Sequence, residues 1–538
     1  MLASGASPPA APASSVGGEP GAAQGVVFPV DNKGERSSTG PAKAVWSAAF
    51  AGVDAERAAA LQREGNWRHN YVKHLVGLTE QSAATPELAL GCATAGLGEL
   101  YRQMEFVRGE ACDKVPAAMA KYTGVPGSAV VRGQGAAVDA ERAVGVAFGG
   151  EERATGAALV AAVEERMRRG ELEPDVVAAF QQLVAHRAEW LRQLKDTVFV
   201  VLGATSELCP LAVLLELGLN VAAVARPNAR RQKALLELAQ RAPAGASLTV
   251  PLLGAAPGAA VPTELDAIAA ACGADIITHA PEVANWLVRL APGKRLVLGS
   301  YIYLDGADHV RASVAMDAVL EAVLKARPDA ALAYLGTPAV VYPIPAAAAK
   351  DSERRRLETP WWHSLAGVAL GPFEPNTRPP LTATRVDPRA KDQSKEIYMY
   401  DGINVVQGPN YMLAKTLQNW RAMLARCGPS PRIVSVNMTP MCSTESVMHV
   451  AAVARAVRGL KAFPPTVCYE PATARSLMAL LLVYDLSAPD SQANPKVALR
   501  NAYDLFASCG VHGGLWRAAH TSQSTSKTAY LLDLLNLA

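Results

Sequence analysis

The stretch DTVFVVLGATSELCPLAVLLELGLNVAAVAR, residues 196 to 226, constrains the chain more than any other. Val198 to Leu202 is an unbroken apolar run of strand length, bounded by Asp196 before it and by Gly203, Ala204, Thr205 and Ser206 after it. A run with no polar alternation fits a parallel strand buried on both faces. From Leu208 to Leu217 apolar residues recur at helical spacing, Pro210 falls in the first turn where it is tolerated, and Gly218 can close the helix. A second β-rich run follows at Val221 to Ala225. Together these make one βαβ unit. In its first turn, backbone N–H groups and a helix N-terminus would face a dinucleotide pyrophosphate.

The alternation continues downstream. Ser247 to Leu253, Ala274 to Thr278 and Arg295 to Leu298 read as third, fourth and fifth strands, Val310 to Lys325 as a helix, and residues 331–343 as a further strand and turn. Tyr411 to Leu424 is again helical and Arg432 to Val436 β-rich. This pattern predicts an α/β fold, a doubly wound parallel sheet over 196–538. The prolines and lost periodicity between Glu353 and about Lys395 predict a loop insertion near 350–400. Upstream, Ala55–Leu61, Glu87–Arg108, Gly156–Arg169 and Asp175–Leu194 carry helical spacing, which predicts a separate, mostly α-helical region over 43–195. Residues 1–42, rich in Ala, Gly, Pro and Ser, read as a flexible tail.

Composition narrows the function classes. The chain of 538 residues is half apolar, enough for two or three domains, and its net charge is +3 with no basic run beyond Arg354 to Arg356, so nucleic acid is not an expected partner. Eight cysteines without a C-x-x-C pair indicate neither a zinc site nor a disulfide framework, hence no metal and a reducing, cytoplasmic compartment. No apolar run reaches the roughly 18 residues of a membrane span, and no membrane partner is expected. Organelle import stays open, because the Ala- and Ser-rich N-terminus has no acidic residue before Glu19. Homo-oligomerisation stays open too. Trp67, His69, Tyr71 and His74 read as helix-packing residues, and no G-x-S-x-G occurs at the turn after Leu202.

Tyr411 and Lys415 form a Tyr-x-x-x-Lys on a helical stretch, a spacing that puts phenol and ammonium on one face, where the cation can lower the phenol's pKa. Ser300 ends the strand in KRLVLGS, and Arg432, Val434, Asn437, Pro440 and Thr444 loosely resemble a strand of the RVNxVxPGxxxT kind, with spacings that do not match throughout. On these residues the segment from 196 to about 450 resembles the short-chain dehydrogenase/reductase superfamily, which has a Rossmann fold. The resemblance implies a catalytic group of Tyr411, Lys415 and Ser300: the tyrosine as acid/base, the lysine to lower its pKa and hold the nicotinamide ribose, the serine to orient the substrate oxygen. Gly203, Thr205 and Ser206 would form the cofactor turn. Arg226 stands just after the second strand, with no acidic residue at the strand end in the sequence, which favours NADP(H) over NAD(H).

Three departures bear on that expectation. Glu207 and Cys209 stand where the family keeps glycines, which predicts weakened pyrophosphate binding. Thr278, His279, Ala280 and Pro281 replace N-N-A-G. AYLGTPAVVYP is similar to the strand that follows the catalytic helix in extended members, a register that would put the Tyr-x-x-x-Lys between 301 and 330, where none occurs. The expected function is an NADP(H)-dependent oxidoreductase acting on a small carbonyl or alcohol. The alternative is a catalytically silent Rossmann scaffold, or nucleotide sensor, serving protein assembly.

Overall fold

A computed structural model describes residues 23–150, 152–253 and 260–537. The fold is α/β. Its largest sheet has seven strands, β1 (Gly127–Arg132), β2 (Thr197–Leu202), β3 (Asn220–Val224), β4 (Ser247–Leu252), β5 (Arg295–Ser300), β6 (Ala331–Gly336) and β7 (Val434–Met438), in the spatial order β7-β6-β5-β2-β3-β4-β1. β1 pairs antiparallel with β4 at one edge, and every other pairing is parallel. The chain enters at the centre with β2, steps outward to β3 and β4, then returns to lay β5 on the other side of β2 before continuing to β6 and β7. β2 and β5 stay paired to their carboxyl ends, Leu202 beside Ser300, and the strand order reverses between them.

Helices cover both faces, because the strands alternate their apolar side chains between them. Val198, Val200 and Leu202 of β2 join one core with α1 (Thr39–Ala51), α2 (Pro86–Gln103), α6 (Ile276–Arg289), α7 (Gly306–Ala326) and α9 (Gly408–Cys427). Phe199 and Val201 join the other with α3 (Pro174–Gln193), α4 (Leu211–Glu216), α5 (Ala229–Arg241) and α10 (Pro471–Ser487). Each large apolar side chain so buried contributes about 1.5–3 kcal/mol.

The region 43–195 is not a separate helical unit. Its strand β1 completes the sheet edge and its helices supply part of both cores. Gly96 lets α2 lie against α9, since a Cβ there would enter the Trp420 ring, and Trp46 meets Trp420 edge-on at 5.4 Å between centroids. The expected helix Glu87–Arg108 ends at Gln103, and Glu105–Arg108 turns into a strand of a small antiparallel sheet with Gly25–Val27 and Ala111–Lys114. The expected tail is therefore corrected from Gly25 onward, where Val26 and Val27 are buried against that sheet; residues 1–22 lie outside the described residues.

The expected fourth strand, Ala274–Thr278, is instead the start of α6. Asp275 accepts the Ile277 N–H at 2.9 Å and opens a helix that kinks at His279, two residues before Pro281. Residues 350–400 are not one loop either: Ala346–Leu357 and α8 (Trp361–Leu370) are helices, and Glu396–Asp401 pairs with Val341–Ile344 and Leu381–Thr382. Among the described residues, no helix is long and apolar enough to cross a membrane.

Candidate active site

Loss of the expected fourth strand to α6 makes β5 the fourth parallel strand in chain order and β6 the fifth. α9 then lies between the fifth and sixth parallel strands in chain order, and Tyr411 stands at the carboxyl end of the sheet. Gly408 takes φ +82° and Pro409 opens the first turn of α9, which starts the helix just before the phenol.

The Tyr411 hydroxyl donates to Thr337 Oγ1 at 2.9 Å, directly beyond the end of β6. Its ring stacks on His309 of α7, with centroids 5.7 Å apart and planes at 16°, and meets Tyr303 edge-on at 6.2 Å. His309 is fully buried; the Leu304 N–H donates to its Nδ1 at 3.2 Å, which leaves the proton on Nε2, and Nε2 has no partner among the described residues. Burial, then the Lys415 charge, pushes the imidazole down to about 3, so the ring is neutral. Lys415 Nζ donates to Gln418 Oε1 at 3.4 Å and has no carboxylate partner among the described residues; burial pushes its ammonium down to about 8. Burial also pushes the Tyr411 phenol up to about 12, against which the Thr337 hydrogen bond acts as the smaller effect. The expected lowering of the phenol by Lys415 is thus absent from this arrangement.

No protein-family model and no curated protein matches the chain. The reading of the site rests on its own residues.

Ser300 is not part of this group. It lies inside the sheet between Leu202 and Tyr334, and its hydroxyl donates to Met316 Sδ at 3.1 Å. Thr337 holds the position at the phenol that Ser300 was expected to hold. Ser300 ends the fourth parallel strand in chain order and Thr337 follows the fifth. His309 and Tyr303 carry no motif, and only their placement after β5 brings them to Tyr411.

The turn after β2 is close to Tyr411 through one short segment. Gly203 takes φ +96° and a Cβ there would strike the backbone of Ile302, whose neighbour Tyr303 touches Tyr411. The N–H groups of Gly203 and Ala204 donate to Val224 O, and those of Ser206 and Cys209 donate within the turn. Thr205 is exposed and Ser206 half-buried. The Glu207 carboxylate accepts the Glu445 N–H at 2.9 Å, and Cys209 is a buried thiol pushed up to about 12 by burial. Arg226 pairs with Asp275 at 3.0 Å. An acidic residue does reach the end of β3, from the start of α6, which corrects the expectation drawn from sequence order.

Proposed function

We propose that the chain is an NADP(H)-dependent oxidoreductase of the short-chain dehydrogenase/reductase kind, acting on a small carbonyl or alcohol on a Rossmann-like, doubly wound sheet. The observation that carries the reading is the Tyr411 hydroxyl on Thr337 at the end of the fifth parallel strand, with Lys415 one helical turn beyond on α9. The order β4-β3-β2-β5-β6-β7 supports it, being the order of dinucleotide-binding sheets that bind where the strand order reverses, here between β2 and β5.

The turn after β2 fits a pyrophosphate in part. Four of its N–H groups are taken, whereas those of Thr205, Glu207 and Leu208 donate to no atom of the described residues, and the Glu207 carboxylate is engaged at Glu445. Arg226 would hold a 2′-phosphate after leaving Asp275; Asp275 would accept a ribose hydroxyl if NAD(H) bound instead. The cofactor supplies the hydride. Tyr411 passes a proton between its Oη and the substrate oxygen, and Thr337 Oγ1 orients that oxygen. Lys415 must turn from Gln418 towards the phenol for its charge to bring the phenol's pKa down.

The silent scaffold remains the second reading, and the high pKa of the Tyr411 phenol favours it. Fluorescence titration with NADPH and NADH, followed by turnover with a broad carbonyl panel, separates the two. The oxidoreductase predicts tighter NADPH binding, a preference that Arg226→Ala reduces about tenfold or more, and turnover lost in Tyr411→Phe. Absence of binding by either cofactor would remove the oxidoreductase reading; equal affinity for both, or binding of NADH alone, would remove only the NADP(H) assignment.

A further inference from the structure

Side chains on the facing sides of α7 and α9 form a polar seam with many donors and few acceptors. His309 Nε2–H, Gln418 Nε2 and Ser313 Oγ are buried and make no hydrogen bond among the described residues. His309 and Ser313 stand one turn apart on α7, and Lys415 and Gln418 are joined by a hydrogen bond on α9. The Lys415 ammonium is the charge that acts on His309, and it spends one proton on the Gln418 amide oxygen. The neighbouring carboxylate on this seam, Asp317, is already held by Arg421 at 2.7 and 2.8 Å and by the Tyr101 hydroxyl at 2.6 Å. A buried cation and unpartnered N–H donors without a free carboxylate leave an arrangement whose missing element is negative charge. Tyr411 and Lys415 are half-buried, so the seam lies directly beneath the surface beside the phenol, with its donor atoms covered.

We propose that this seam is a carboxylate subsite, in which His309 Nε2–H, the Lys415 ammonium and the Gln418 amide N–H hold the acid group of a short oxo acid or hydroxy acid whose other oxygen meets Tyr411. The proposal rests on the oxidoreductase reading for the reacting oxygen, and on the seam alone for the carboxylate. Lys415 in this role is a binding residue as much as a modulator of the phenol. The lysine charge then explains its own burial: it is compensated by substrate and not by protein.

The test uses the full chain in low-chloride buffer and reads binding separately from turnover. Calorimetry with oxamate and with malonamate, whose carboxylates stand at two distances from the carbonyl oxygen, is compared with the neutral diamides oxamide and malonamide. At least one acid is expected to bind saturably and its diamide not to bind. Affinity should fall about tenfold in Gln418→Leu and in His309→Phe, each removing one hydrogen bond to a charged group. His309→Gln, which keeps an N–H, should recover part of the loss. Ser313→Ala serves as the small substitution should the larger ones unfold the chain, with a severalfold weakening expected. Neither acid binding, or diamides binding as well as acids, would overturn the subsite and assign the unpartnered donors to buried water. Acid binding with no carbonyl turned over leaves the subsite standing and removes the oxidoreductase reading. Turnover of neutral aldehydes without any advantage for oxo acids does the reverse.

Discussion

Lys415 enters helix packing with an amide oxygen as its recorded partner, and its titration reports that environment. Burial pushes its ammonium down to about 8 in the folded chain, from the ordinary lysine value of 10.5. Between those values the unfolded chain binds a proton that the folded chain has released, so this residue makes stability rise with pH across that window. Each pH unit is worth about 1.4 kcal/mol. Urea unfolding at several pH values should therefore show a steeper rise above pH 8 in wild type than in Lys415→Met, and parallel profiles would contradict the burial of an unpaired ammonium. Thr337 allows a second prediction at this scale: Thr337→Ser should keep turnover, while Thr337→Val, which keeps the shape and removes the hydroxyl, should lower it by about a hundredfold in a steady-state assay. Tyr411 and Lys415 were legible in the sequence because helical spacing alone puts them on one face. Thr337 was not, since no local pattern says which of several strand ends faces a helix that starts seventy residues later.

At the scale of elements, the decisive step was the fate of Ala274–Thr278. Its apolar β-branched residues suit a strand, yet Asp275 caps a helix and the sheet closes without it. That single change moves β5 and β6 by one place in the strand count and sets α9 between the fifth and sixth parallel strands. Local propensity cannot decide such a case, because the competing conformations differ in tertiary burial. The two helices that flank the candidate site are joined by Asp317 of α7 and Arg421 of α9, a buried pair in which both guanidinium contacts are direct. Arg421 also reaches Glu321 at 3.1 Å, so removal of Asp317 leaves the guanidinium one carboxylate and the Tyr101 hydroxyl without its acceptor. Asp317→Ala should cost about 2–3 kcal/mol in denaturant unfolding, whereas a loss under about 1 kcal/mol would mean that Glu321 and water suffice to hold the arginine.

The whole molecule is organised around one sheet with the first third of the chain wrapped onto it. Periodicity identified α2, α3, α7 and α9 but not α1, α6 or α10, and it gave none of their partners: α1 and α2 pack on α9, more than three hundred residues away in sequence. A boundary drawn at 195 therefore followed composition and missed the contact between Gly96 and Trp420. A chain beginning at Gly127 would leave Trp420 and its neighbours uncovered, and it should be recovered as aggregate in size-exclusion chromatography; a monodisperse product would restore the separate N-terminal unit. The strand order was equally hidden, because parallel pairing is settled by crossover connections and not by the strands themselves. What that order supports is a ligand site where the strand order reverses between β2 and β5, and hydride transfer there is the proposed activity. The direct measurement is transfer of deuterium from NADPH labelled on the nicotinamide C4 to a panel of carbonyl compounds, including short oxo acids, with wild type and Tyr411→Phe. Deuterium on the carbinol carbon of a product made by wild type, and none from Tyr411→Phe that still binds NADPH, is the predicted result. Labelled product formed equally by Tyr411→Phe, or by neither protein across the panel, would contradict it.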